Sequence, residues 1–183
     1  MSIRIVVGGI PNCGKSTLTA SIYREMQGRG IDVGVHELDV FQNTLPCILG
    51  LESWNCRPMV EKGDWTNPLI GQAIDAFARD ERRFVLGDLT GIIDSLVEKM
   101  VELADSAIVV GKNLSDFACW LNFFASQKIS VIAKVVSCTD GPAIHGTNVG
   151  DFISVRDLQR KVLQNNGIRG IVDLLLSHYA SAG

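Results

Sequence analysis

Short apolar runs of strand length alternate along the chain with stretches where apolar residues recur every three or four positions. This alternation predicts an α/β fold with a mainly parallel sheet. Residues 3–7 are almost unbroken apolar, as in a strand covered on both faces. Over residues 16–27, Leu18, Ile22 and Met26 fall four apart on one face and predict a helix, with Gly28 and Gly30 suited to its end. Residues 33–38 read as a second strand ending at Asp39, 83–87 as a third leading into Asp88, 107–110 as a fourth and 129–136 as a fifth. Helices are expected over 69–78, along the stretch marked by Ile92, Ile93, Leu96, Val97, Met100 and Val101, and along that marked by Leu114, Phe117, Leu121 and Phe124. Residues 138–150 are Gly-rich and read as a surface loop, and one or two helices are expected through 158–163 and 168–179. Residues 40–68 differ in character: Pro46, Pro58, Pro68, Trp54, Trp65 and the turn-like Lys62-Gly63-Asp64 suggest a partly helical insertion or lid.

Composition narrows the picture without changing it. A chain of 183 residues, 46% hydrophobic and 20% charged, suits one domain, 1–183, with one core. Net charge is −3 and no block of Lys or Arg occurs, which argues against non-specific nucleic-acid or anionic-membrane binding, though a local basic groove stays open. No apolar run approaches the ~18 residues that span a bilayer. The first residues carry no signal-peptide pattern, so a cytoplasmic location is expected. The five cysteines form no CxxC pair, and His36, His145 and His178 show no metal spacing.

The strongest chemical signal is Gly9-Ile10-Pro11-Asn12-Cys13-Gly14-Lys15-Ser16, a full match to GxxxxGK[ST]. Glycines let the backbone curl so that successive N–H groups point at phosphate oxygens, and the helix that follows presents its positive end to the anion. Lys15 can reach the β- and γ-phosphates, and Ser16 can offer its hydroxyl to Mg²⁺. Gly9, Pro11, Asn12, Cys13, Gly14, Lys15, Ser16 and Thr17 are therefore expected to cradle a nucleoside triphosphate, ATP first and GTP as the alternative. A chance Gly-rich turn is the competing explanation, and the strand before and helix after argue for the motif. Cys13 sits where a helix N-terminus can lower a thiol pKa and favour oxidation; a purely structural side chain is the alternative.

Asp88 follows the third strand in Gly87-Asp88-Leu89-Thr90-Gly91 and is expected to help hold Mg²⁺, with Gly91 offering a backbone N–H near the γ-phosphate. The alternative is that Asp88 caps the next helix. Asp39, after the second strand, is a candidate to face the γ-phosphate and orient a hydroxyl or water; Glu37 competes for that role, and a turn or cap is the structural alternative. Lys15, Asp39 and Asp88 form the expected catalytic set. Asn113 and Asp116 have the spacing of a guanine-reading NKxD motif but lack its Lys, and Asn113 or Ser115 can equally cap the helix that follows. Ser137 and Cys138 stand where a base-contacting loop can lie. Trp54, Arg57, Lys62, Trp65 and Arg82 or Arg83 can contact a second substrate or close over phosphate, or serve as surface charges and packing aromatics.

The phosphate loop resembles that of the P-loop NTPase superfamily, strictly over residues 3–17 and in layout over about 1–136. That resemblance implies a three-layer fold with a mainly parallel, five-stranded sheet flanked by helices. Asp88 is not followed by Glu, and the pattern from Asp88 to Gly91 resembles the kinase and GTPase branch. This implies that the strand holding Asp88 lies beside the strand feeding the phosphate loop. GGIPNCGKS, GDW, GDLTG, ADSAIVV and Trp120 before SVIAKVVS also resemble the kinase-like P-loop domain found fused to a CRISPR-associated ring nuclease. The expected function is Mg²⁺-dependent binding of a nucleoside triphosphate by a kinase-like phosphotransferase or NTPase, with a small-molecule or protein acceptor. The alternative is a regulatory switch of little turnover that docks a partner protein. A homodimer stays open.

Overall fold

The computed structural model describes residues 2–42, 44–50, 67–138, 152–156, 158 and 161–180. Six parallel strands form one sheet: β1 (Ile3–Gly9), β2 (Val33–Glu37), β3 (Phe84–Asp88), β4 (Ser106–Gly111), β5 (Ser130–Cys138) and β6 (Phe152–Arg156), in the spatial order β2-β3-β1-β4-β5-β6. Helices α1 (Lys15–Gly28), α2 (Thr44–Leu49), α3 (Pro68–Arg79), α4 (Ser95–Val101), α5 (Leu114–Ser126) and α6 (Asn166–Ala180) complete the described elements. The α/β, mainly parallel arrangement agrees with the pattern of the sequence, and the adjacency of β1 to β3, with Val7 level with Asp88, agrees with what the P-loop resemblance implies.

The near-continuous apolar strands follow from having helices on both sides. In β1, Ile5 and Val7 point to one face and Val6 to the other, following the two-residue period of a strand. Ile5 and Val7 join Leu18, Ile22 and Met26 of α1 and Ile168, Ile171, Val172 and Leu175 of α6. On the other side Val6 joins Phe77 of α3, Val97 and Met100 of α4, and Phe117, Trp120 and Phe124 of α5. Fully burying such side chains is worth about 1.5–3 kcal/mol each, so the two apolar layers hold the sheet in place under the loops at its carboxyl end.

Four expectations are corrected. The sheet has six strands, because Phe152–Arg156 pairs with β5; it is a five-residue edge strand after a Gly-rich stretch, too short for its alternation to stand out. Ile92 and Ile93 precede α4, whose start at Ser95 is set by Asp94, a cap that accepts from the Leu96 and Val97 N–H groups. Residues 158 and 161–163 are not helical, so among the described residues the C-terminal stretch holds one helix, α6. Pro68, assigned above to the insertion, instead opens α3 behind its Asn67 cap, where its missing N–H costs nothing. Within 40–68, Thr44–Leu49 is helical; residues 51–66, with Trp54, Arg57, Lys62 and Trp65, lie outside the described residues. So do His145 and residues 139–150 of the expected surface loop.

Candidate functional site

β1 sits mid-sheet, and its helix crosses to one face while α4 and α5, following its neighbours β3 and β4, cover the other. Divergence of this kind opens a crevice at the carboxyl ends of the strands. The loop of residues 10–14 lies in it. Gly9 (φ 152°), Asn12 (φ 58°) and Gly14 (φ 94°) give the loop its curl. Gly9 has no room for a side chain: a β-carbon there would lie 2.2 Å from the Val110 carbonyl oxygen. Gly14 is equally confined, with Leu158 Cβ 2.5 Å from such an atom.

A cavity of about 660 Å³ opens over this loop, within the range of small-ligand sites. Its walls are Pro11, Asn12 and Gly14 to Thr17 from the loop and α1, residues following β2, residues following β3, and Leu158. Of the residues expected to touch nucleotide, Pro11, Asn12, Gly14, Lys15, Ser16, Thr17, Gly91 and Asp39 reach the cavity wall. Gly9 ends β1 behind it and Cys13 is buried in the core. Burial pushes the Cys13 thiol pKa up, against the lowering effect of Lys15, which favours the purely structural side chain over a reactive thiolate.

Lys15 is buried and its Nζ donates to the Ile10 carbonyl oxygen at 3.1 Å, so the ammonium lies along its own loop. Asp88, 1% exposed, lies behind Ser16 and Lys15. Burial raises its pKa from 3.8 to about 7, opposed by hydrogen bonding to Ser16 and the charge of Lys15 and reinforced by the charge of Asp39. Its Oδ1 is buried without a hydrogen-bond partner among the described residues. A buried carboxylate oxygen left without a partner beside a serine hydroxyl fits a hard divalent cation. No group of three or more His, Cys, Asp and Glu is placed to hold a metal among the described residues. A Mg²⁺ ion here would draw its remaining ligands from phosphate and water.

Asp39 is separated from its competitor by direction. It lines the cavity and its Oδ1 accepts from the Phe41 N–H at 3.3 Å, whereas Glu37 Oε2 accepts from the Leu45 N–H and holds the start of α2. Gly91 packs on the phosphate loop, with Pro11 N 2.7 Å from where its β-carbon would be. Asn113 is not brought to the cavity wall. It caps α5 in a capping box, accepting from the Asp116 N–H, while the Asp116 carboxylate accepts from the Lys112 and Asn113 N–H groups. Arg82 and Arg83 stand before β3, at the end of the sheet away from the loop. Arg82 is forked onto Asp80 and the Arg83 N–H donates to Asp32, which favours the surface-charge alternative for both over contact with phosphate. Asp80 also meets His36 Nε2 at 2.7 Å; burial favours its neutral form, but bonds from Arg82 and His36 outweigh this and hold its pKa well below the usual range. Phe41, Thr90 and Leu158 line the cavity unannounced: the first two follow acidic strand ends, and Leu158 carries no local signal.

No family model matches the sequence, and no curated protein is significantly similar to it. Among solved structures, the septum site-determining protein MinD of Pyrococcus horikoshii, complexed with Mg-ADP, superposes with a TM-score of 0.68 at 14% identity, covering 100% of this chain and 98% of that one. The chain has the P-loop NTPase fold. Cobyrinic acid a,c-diamide synthase of Mycobacterium smegmatis, with bound ATP analog and magnesium, shares this P-loop fold at a TM-score of 0.63 and 13% identity, covering 100% and 97%. The signal recognition particle receptor FtsY of Elizabethkingia anophelis, in complex with GDP, shares it at 0.58 and 19%, covering 95% of this chain and 63% of its own. Adenine and guanine nucleotides are thus both found on P-loop neighbours. The Gly63-Asp64-Trp65 part of the ring-nuclease-associated resemblance lies outside the described residues, while Trp120 is buried against Gly8. No helix among the described residues is long and apolar enough to cross a membrane.

Proposed function

We propose that this chain binds a nucleoside triphosphate, ATP ahead of GTP, and cleaves or transfers its γ-phosphoryl group. The observation that carries the reading is the Asp88 oxygen without a partner, buried beside Ser16 and Lys15 under a curled loop of P-loop sequence. Loop N–H groups and the α1 terminus bind the β-phosphate, and Lys15 exchanges the Ile10 carbonyl for phosphate oxygens. Ser16 and Asp88 would hold Mg²⁺, which supplies positive charge across the phosphate oxygens. Asp39 orients the attacking hydroxyl or water and accepts its proton, and the Gly91 N–H faces the transferring group. ATP is favoured because the Asn113–Asp116 pair is engaged in capping α5.

Calorimetric titration with ATP and GTP, with and without Mg²⁺, tests binding. Asp39→Ala should keep MgATP affinity within about threefold and lose about 10²-fold or more in turnover, the usual scale of a positioned base. Unchanged turnover in Asp39→Ala would remove Asp39 from the chemistry, and absence of MgATP binding would remove the whole reading. A second reading, a nucleotide-dependent switch, is favoured by Ile92, 60% exposed on the loop whose Gly91 rests on Pro11. Rapid multiple turnover without any partner counts against it.

A further inference from the structure

We infer that Thr19 is a positioning residue of the cation site: its buried hydroxyl donates to the Asp88 carboxylate when a divalent cation is held, and so orients the oxygen that meets the metal. The inference rests on the Ser16–Asp88 magnesium reading above and deepens it. Ser16 and Thr19 stand three apart on α1 and so share a face of the helix. That face turns toward the end of β3, where both hydroxyls lie within hydrogen-bonding reach of the Asp88 carboxylate. Thr19 is 0% exposed, so bulk water does not compete for its hydroxyl.

A hydroxyl has one proton to give. In the structure Thr19 Oγ1 gives it to the Lys15 carbonyl oxygen, at 2.9 Å. That carbonyl does not depend on it, because Lys15 opens α1 and its oxygen also takes the main-chain N–H four residues on. A carboxylate that ligates a metal is itself hydrogen-bonded, and the bond fixes how the ligating oxygen is presented. A bond to an ionised acceptor is also roughly twice as strong as one between neutral groups. A cation-holding Asp88 therefore offers Thr19 the better acceptor. Ser21 supplies the contrast on the same helix. Its Oγ makes the same kind of bond, to the Thr17 carbonyl oxygen at 2.6 Å, and is as deeply buried, but its other neighbour is the Leu163 N–H and not a carboxylate.

The test is a calorimetric titration of a non-hydrolysable ATP analogue at a series of Mg²⁺ concentrations, so that no turnover enters the readout. Thr19→Val keeps the shape of the side chain and removes the hydroxyl. It should raise the Mg²⁺ concentration at which the analogue binds half-maximally by about 10- to 100-fold, the usual scale for a group that orients a metal ligand. Its metal-free affinity for the analogue should stay within about threefold of wild type, since the phosphate loop is untouched. Thr19→Ser, which restores the hydroxyl, should return the Mg²⁺ midpoint to near the wild-type value, and Ser21→Ala should leave it unchanged. Where valine at this position prevents folding, Thr19→Ala removes the same hydroxyl and carries the same expectation. A hydroxyl-free variant with the wild-type Mg²⁺ midpoint would overturn the inference. So would an equal shift in Ser21→Ala, or a metal-free affinity that falls as far as the Mg²⁺-dependent one. Wild-type binding that ignores Mg²⁺ would overturn the underlying magnesium reading instead.

Discussion

Well below pH 3.8 the Asp88 carboxyl keeps its proton whether the chain is folded or not. As pH rises from 3.8 towards 7, the unfolded chain releases that proton while the folded one retains it, because burial has raised the folded pKa to about 7. Stability therefore falls across this window and stays lowered above it, by on the order of 4 kcal/mol. Asp88→Asn should relieve the cost in metal-free protein. Urea melts at pH 5 and pH 8 should show the variant gaining on wild type as pH rises, and an equal difference at both values would refute the burial argument. On the proposed reading, the site carries a destabilising group that would meet a cation. Gly9 illustrates the same economy in backbone terms, since its φ of 152° and the nearby Val110 oxygen leave no place for a side chain.

Among the elements, α5 separates two meanings of one pattern. Asn113 and Asp116 hold a capping box, so Asn113→Ala should cost about 1 kcal/mol. That is a fall in melting temperature of roughly 2–4 °C for a chain of this size. The ratio of ATP to GTP affinity should not move; a changed ratio would show that Asn113 reads the base. The motif spacing was visible in the chain, but a cap and a base reader use the same residue types three apart, and only geometry separates them. α1 and α5 were legible from their periodicity because each buries one face, and β1 from its unbroken apolar run because it is covered on both. β6 was not, since five residues at an edge bury little. Of the site, the loop and Asp88 were readable because they are contiguous or terminate a strand. Phe41, Thr90 and Leu158 were not, since their roles come from strand order.

Across the whole molecule, the described late elements, β6 and α6, are structural. Val155 of β6 and Ile168, Ile171, Val172 and Leu175 of α6 cover the face that also packs Ile5, Val7 and α1. Tyr179 Oη donates to Ser106 Oγ at 2.6 Å, and Leu163 N donates to Ser21 Oγ of α1 at 2.9 Å. A chain ended at residue 138 should expose this layer and lose cooperative unfolding in a circular-dichroism melt. A sharp transition like that of the full chain would show that the first five strands suffice. The contact between Leu158 and Gly14 ties the loop to this late layer. Anyone redesigning the loop must accordingly treat positions 14 and 158 as a unit: adding a methyl at one requires carving space at the other. Even then the backbone angle of +94° at Gly14 would still resist the newcomer.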